Sequence, residues 1–327
     1  MFDIITIGSA TRDVLLKAEG FEIRKHEDSP SGVEQCFPLG SKIEIKEIVF
    51  TTGGGAANAA VTFSRQGFKT ACVSAVGEDL NGREIVKELK REKVETKYFQ
   101  KHNDDYSAYS VILVYPSAER TILSYKGEGQ HFDLAKVPFN KIKTKWLFIN
   151  SLGGNYDLLK AVVEHGFKNK IKMAINPGGK EIAHGLEKLT LLIKDLDIVI
   201  MNQEEAAGLL ALSFEQEEEI FKKLNQTFSG VVVMTKGPQG VVVSDKKNIY
   251  RAGTPDSPVV ERTGAGDAWS SGFVSESIKS GDIIKAIQFA TANASSVVTK
   301  FGSRAGILKK GDWGQWSLVE VKSSSSL

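Results

Sequence analysis

Glu261-Arg262-Thr263-Gly264-Ala265-Gly266-Asp267-Ala268-Trp269-Ser270-Ser271-Gly272-Phe273 reads as a tight glycine loop that runs straight into a helix. Glycines at 264 and 266 let backbone amides turn toward one point without Cβ obstruction. The helix adds its unpaired N–H groups and the positive end of its dipole, so the point holds an anion. Asp267 suits the dipole but would repel any phosphate gathered by the same amides. A base that takes a proton from a hydroxyl attacking that phosphate reconciles the two. Taken alone, the stretch is explained equally well as a turn followed by a helix N-cap.

Upstream, short apolar runs alternate with helical stretches. Gly230-Val231-Val232-Val233-Met234-Thr235 runs into Lys236-Gly237-Pro238-Gln239-Gly240, and Val241-Val242-Val243-Ser244 returns as a hairpin. Before it, Ile198-Val199-Ile200-Met201 is a strand and Asn202-Gln203-Glu204-Glu205 opens a helix. Asn202 with Glu205 three residues on has the form of a capping box. At the carboxyl end of a strand the same pair could also hold the waters of a magnesium ion, which keeps most of its hydration shell. Earlier come the strand Trp146–Asn150, a helix near Leu158 to Gly166, the strand Lys172–Asn176 stopped by Pro177-Gly178-Gly179, and a helix near Leu186 to Asp195. This rhythm predicts an α/β fold with a doubly wound, mostly parallel sheet flanked by helices. Downstream, helices run from Asp267 to about Lys279 and from Asp282 to about Lys300. The small residues from Ala290 to Ser296 give the second a face on which a flat ring such as adenine could lie, and close helix packing explains that face as well.

At the other end, Asp3-Ile4-Ile5-Thr6-Ile7-Gly8 is a buried strand ended by glycine, with Asp13 just beyond its carboxyl end. Ligands of open α/β sheets sit there, so Asp13 could accept hydrogen bonds from sugar hydroxyls or simply cap a turn. Thr51-Thr52-Gly53-Gly54-Gly55-Ala56-Ala57-Asn58 leaves backbone open at a strand-to-helix junction, with Asn58 as its polar hook. The same small residues also permit close helix–sheet packing. The spacing matches neither a dinucleotide fingerprint nor a phosphate-binding loop with a lysine. A strand over Thr70–Val76 and a charged amphipathic helix up to Glu92 follow. The alternating stretches Ile43–Phe50, Tyr106–Leu113 and Thr121–Tyr125 predict half-exposed strands, either a small β-sheet lid built from segments about 14–50 and 98–127 or peripheral strands of the main sheet. Aromatics such as Phe37, Tyr106 and Tyr109 are open to stacking a base or to packing.

Composition narrows the classes. Lys+Arg 42 against Asp+Glu 40 in 327 residues gives +2, with no basic run of the kind that binds nucleic acid. Cys36 and Cys72 form no CxxC, which argues against a disulfide framework or zinc site and for a reducing cytoplasm. No apolar run approaches the ~20 residues of a membrane span. The residues from Gln315, closing in four serines, predict a disordered tail over 315–327.

In their order, a strand ending near Asp13, the GGG-x-x-N junction at 53–58, Asn202-x-x-Glu205, Thr235-x-Gly237 and Thr263-Gly264-Ala265-Gly266-Asp267 resemble the ribokinase-like (PfkB) family of carbohydrate kinases. The likeness runs from the first strand to about Lys309 and implies one kinase domain over 1–310 with a β lid. It implies Mg-ATP-dependent transfer of the γ-phosphoryl group to an alcohol, with Asp267 as general base and Gly264, Ala265 and Gly266 as the anion hole. By the same likeness Asp13, Gly54, Gly55 and Asn58 line the substrate pocket. Asn202, Thr235, Gly237 and Asn293 serve the nucleotide, and Glu205 serves Mg²⁺ through water. The partners implied are a small sugar or nucleoside, and a homodimer through the lid is open. Three departures are visible. Glu261 stands where the family usually has Asp, which leaves the monovalent cation of some members uncertain. Gly55 replaces the lysine of ribokinase, and Ser151-Leu152-Gly153-Gly154 lacks its acid, so ribose specificity does not carry over. The competing readings are a nucleoside kinase of the same family and, outside the enzymes, a sugar-binding regulator on the same fold.

Overall fold

The computed structural model describes residues 1–18, 22–27, 32–115 and 120–325. Residues 19–21, 28–31 and 116–119 of the two expected lid segments, and the last two residues of the tail, lie outside them. The chain opens with β1 (Phe2–Ile7), whose Ile4, Ile5 and Ile7 are buried, as in a strand covered on both faces. It leaves the core in β2 (Thr11–Ala18), makes the exposed hairpin of β3 (Glu22–Lys25) and β4 (Val33–Cys36), and returns in β5 (Ile45–Gly53). The glycine junction then starts α1 (Gly55–Arg65). The strand expected over Thr70–Val76 is broken at Ser74. Its first half, β6 (Thr70–Val73), pairs with β1, whereas β7 (Ala75–Gly77) turns away to pair with β8 (Gln100–His102). Between them lies α2 (Leu80–Arg91), capped by the Asp79 carboxylate on Gly82 N–H. After β8 come β9 (Tyr109–Val114) and β10 (Arg120–Tyr125).

From β11 (Thr144–Ile149) the βα rhythm runs through α3 (Tyr156–Lys168), β12 (Lys172–Ile175), the short α4 (Gly179–Ile182), α5 (Leu186–Ile193), β13 (Ile198–Asn202), α6 (Gln203–Leu210), α7 (Glu217–Thr227) and β14 (Val231–Thr235). The hairpin of β15 (Val241–Ser244) and β16 (Asn248–Ala252) precedes the two C-terminal helices, α8 (Ala265–Ser280) and α9 (Ile283–Val298). The tail does not run free as its serines suggested. Residues 321–325 form β17, antiparallel to β16, because strand pairing uses the backbone and is indifferent to serine side chains.

Among the described residues, nine strands form one sheet in the order β17-β16-β15-β14-β13-β12-β11-β1-β6. Six of them, from β14 to β6, are parallel, and the hairpin and tail add the antiparallel edge. Side chains alternate between two cores. Ile5, Ile7, Leu147, Val199 and Met201 face one, packed with residues of α3, α5, α6 and α7, while Ile4, Phe148, Ile198, Ile200 and Val233 face the other with Phe63, Phe273 and Ile287. Helices therefore cover both faces, the doubly wound arrangement.

The half-exposed strands are not peripheral to this sheet. They form a separate four-stranded sheet, β10-β9-β2-β5. Its root is fixed to the body by Glu88 of α2, which accepts from Arg12 at 2.7 Å, Thr52 Oγ1 at 2.9 Å and Arg304 at 2.8 Å.

Candidate active site

Two helix N-termini and the carboxyl ends of several strands meet at one edge of the main sheet. At α8 the turn is made by Gly264, left-handed at φ +81°. A Cβ there would lie 2.5 Å from Ser303 Cβ, so only glycine fits. Ala265 N–H turns back to Arg262 O at 3.3 Å, whereas the N–H groups of Gly266 and Asp267 have no acceptor among the described residues. Gly266 is exposed, and a Cβ on it would meet nothing within 4 Å. Open space thus adjoins unpaired donors and a positive dipole end.

Each glycine of the second junction is packed against a neighbour. A Cβ on Gly53 would lie 2.0 Å from Asp13 Oδ2, on Gly54 2.6 Å from Ser9 O, and on Gly55 2.9 Å from Asn150 Nδ2. The close packing open to small residues is realised, and it holds the end of β5 and the start of α1 against Asp13, Ser9 and Asn150. Asn58, buried in the first turns of α1, donates from Nδ2 to Asp267 Oδ2 at 2.8 Å. Its Oδ1 accepts from Ser303 Oγ at 3.2 Å, which fixes the orientation of the amide. Asp13 is buried and accepts from Thr11 Oγ1 at 2.9 Å.

The electrostatics are one-sided. Burial pushes the half-buried Asp267 carboxyl above its ordinary range, against the Asn58 hydrogen bond, and the charge of Asp13 pushes the same way. Burial likewise raises Asp13, opposed by hydrogen bonds from Thr11 and Ser110 and by Arg304, and reinforced by Glu261. Glu261 is buried, accepts from Thr263 N–H at 2.5 Å and faces Arg120 at 3.8 Å. At the end of β13 the capping box forms: Asn202 Oδ1 accepts from Glu205 N–H at 2.8 Å and Glu205 Oε2 from Asn202 N–H at 2.9 Å. Burial first, then the charges of Glu204, Asp267 and Glu181, push Glu205 up to about 7. Asp13, Asp267 and Glu205 therefore all feel their neighbours, in a region that can accept protons or attract a cation. Among the described residues, no group of three or more His, Cys, Asp or Glu is disposed to hold a metal directly.

Thr235 and Gly237 end β14 and begin the turn after it, the first half-buried and the second exposed. Asn293 is a different matter. It has no exposed surface, its Nδ2 donates to Ala268 O at 2.8 Å and its Oδ1 accepts from Leu308 N–H at 2.9 Å. Its amide is spent on bracing α8 and the segment after α9. The small face of α9 is explained the same way, since Gly272 of α8 lies where a Cβ would be 3.2 Å from Ala290 Cα. Phe37 and Tyr106 are exposed and Tyr109 half-buried.

Residues that no motif announced complete the site. Ser9 Oγ accepts from Gly55 N–H at 3.2 Å, and Ser303 orients Asn58. Glu181 accepts from Ser151 Oγ at 2.8 Å and from the N–H groups of Leu152, Gly154 and Gly178 at 2.9, 2.6 and 3.0 Å. It supplies from α4 an acid to the loop after β11 that lacks its own. A cavity of about 690 Å³ opens beside Lys236, on the β14 side of the edge. Among the described residues no helix is long and apolar enough to cross a membrane.

Residues 1–310 match the family described as pfkB family carbohydrate kinase. The chain is 26% identical over 260 residues to the ribokinase of Haemophilus influenzae, covering 78% of this chain and 83% of that one. It is 26% identical over 270 residues to the nucleoside kinase of Methanothermobacter thermautotrophicus, covering 82% and 85%. Among solved structures it resembles a putative ribokinase II from E. coli in complex with ATP and Mg²⁺, with a TM-score of 0.75, 17% identity, and coverage of 94% and 96%.

Proposed function

Because the chain belongs to the pfkB family of carbohydrate kinases, and is thus a phosphotransferase, we propose that it moves the γ-phosphoryl group of ATP to a hydroxyl of a sugar or sugar-like molecule, with Asp267 as general base. The observation that carries this reading is the Asn58–Asp267 pair at 2.8 Å beside the open space and unpaired N–H groups at the start of α8. A hydroxyl held between Asp13 and Asp267 gives its proton to Asp267, whose affinity for protons burial has raised. The Gly266 and Asp267 amides and the helix dipole receive the charge on the phosphoryl oxygens. Gly264 sets the turn that aims them, and Ala265 N–H is largely engaged within it. Asp13 and Asn58, with Gly54 and Gly55 as close-packed backbone, form the acceptor side.

Thr235 and Gly237 are assigned to the nucleotide, together with Asn202. Mg²⁺ fits the donor chemistry: Glu205 is a carboxylate raised to about 7 by burial and by neighbouring carboxylates, and would hold the ion through water with Asn202 beside it. When bound, the ion would neutralise charge on the nucleotide phosphates. The four-stranded sheet is assigned as a lid within a single domain over 1–310. Ile48, Phe50 and Leu123, each about half exposed at 52%, 55% and 54%, support its pairing with a second copy of the chain. Two free cysteines, Cys36 and Cys72, support a cytoplasmic location.

The test is release of ADP across a panel of sugars and nucleosides. A sugar that releases ADP above the acceptor-free background, with phosphorylated product, is the expected result. Adenosine or cytidine outperforming every free sugar would move the assignment to a nucleoside kinase, as the methanogen relative invites. Sugar binding with no turnover on any acceptor would leave a regulator and reject the proposal.

A further inference from the structure

Residues 311–325 lie beyond the part of the chain that the family covers, yet they are built into its body. Trp313 meets Phe289 edge-on at 5.2 Å, Gln288 Nε2 donates to Val319 O at 3.1 Å, and β17 closes the sheet against β16. Between these anchors Trp316 is half-buried and borders two neighbouring hollows. The larger, of about 690 Å³, falls within the ~300–1,000 Å³ of small-molecule sites and is bounded by Lys236, Gln239, Thr254, Asp256, Trp316 and Lys322. The smaller touches Thr291 and Ala292 on the small-residue face of α9. Lys236 stands between Thr235 and Gly237, so the larger hollow begins where the nucleotide is assigned. Thr254 Oγ1 donates to Pro238 O at 2.8 Å and ties its two bounding loops together. Its wall carries an indole plane with an amide, a hydroxyl, the carboxylates of Asp256 and Glu320, and three cations: Lys236, which also pairs with Glu217 at 2.7 Å, Arg251, which pairs with Glu218 at 2.9 Å, and Lys322. That set matches a planar, hydrogen-bonding heterocycle carrying an anionic chain. The Asn293 amide, which the family likeness offered for the nucleotide, is engaged by Ala268 O and Leu308 N–H, whereas Trp316 brings an indole to the edge of the hollow.

We propose that residues 313–322 form the outer wall of the donor nucleotide's base pocket, with Trp316 stacking on the base. The proposal rests on the kinase reading and adds to it a base-recognising element outside the family domain. The experiment titrates ATP and inorganic tripolyphosphate, which has no base, into the full chain and into Trp316→Ala, Trp316→Gln and Trp316→Phe, with thermal midpoints recorded for each. The dissociation constant for ATP is expected to rise about tenfold in Trp316→Ala and Trp316→Gln, the effect of losing one base–aromatic stack, and to stay near wild type in Trp316→Phe. Affinity for tripolyphosphate stays the same in all four. The Gln variant leaves a smaller cavity than Ala does and carries the same expectation should the Ala variant not fold. Unchanged ATP affinity in folded Ala or Gln variants overturns the wall, as does a parallel loss of ATP and tripolyphosphate. A wild-type chain that binds no ATP at all overturns the kinase reading itself, and the wall with it.

Discussion

Asp267→Asn removes a proton acceptor while keeping the shape of the side chain. In the structure Asn58 Nδ2 donates to Asp267 Oδ2 at 2.8 Å, and an amide oxygen at the same place can accept that bond, so the contact between α1 and α8 survives. The stability effect has a definite sign. Burial, with the charge of Asp13, holds the folded-state pKa of Asp267 above its unfolded value, so its contribution to stability is present below the unfolded pKa and lost as pH rises through the folded one. At neutral pH the neutral amide relieves that cost, and the variant should melt at the wild-type temperature or above it. Turnover moves the other way. A positioned base contributes roughly 10²–10⁴-fold, which is about 3–5 kcal/mol of barrier. ADP release at saturating ATP and acceptor should fall by that factor, with ATP affinity unchanged. Turnover within threefold of wild type would refute the assignment of Asp267, and so would a loss fully accounted for by unfolding or by failure to bind ATP.

The two glycines of the α8 turn should separate stability from activity. Gly264→Ala forces a left-handed residue and a Cβ 2.5 Å from Ser303 Cβ, so chemical denaturation should show a loss of at least roughly 1–3 kcal/mol. Gly266→Ala meets no protein atom within 4 Å, so it should fold as wild type and lose turnover because its methyl occupies the space kept for the phosphoryl group; full activity there argues against that use of the space. Glu205 predicts a pH dependence. Its carboxyl rises from 4.5 to about 7, which at about 1.4 kcal/mol per unit is roughly 3 kcal/mol of stability present below pH 4.5 and lost as pH climbs through 7. Denaturation midpoints of wild type should therefore fall relative to Glu205→Gln between pH 5 and 8, and parallel profiles would count against the shift.

The main sheet was legible in the chain because its strands are covered on both faces and so appear as unbroken apolar runs such as Val231–Met234. That Asn58 and Asp267 lie in the opening turns of helices was legible because each follows a glycine-rich turn. Ser303 was not, since its partner Asn58 is 245 residues away and a lone serine outside a motif has no local signature. The engagement of the Asn293 amide within the protein was hidden for a related reason. A helix face of Ala, Ser and Thr has the same composition whether it faces a ligand or the flank of Gly272. Periodicity could not place β2, β5, β9 and β10 in their own sheet, because alternation reports one covered face without saying what covers it. The tail was misread through its serines, which say nothing of the main-chain pairing that holds β17.

Glu88 has a mechanical consequence. By gripping Arg12 at the start of β2, Thr52 near the end of β5 and Arg304 beyond α9, one carboxylate clamps the small sheet like a leaf spring held at one end. Such a spring cannot swing as a door does; it bends along its length, most where its two leaves slip, and β2 and β5 lose register at Lys17/Ala18. Amide exchange should accordingly be slow at Arg12 and Thr52 and quicken toward Ile45, and uniform protection along β5 would mean that the blade is stiff throughout.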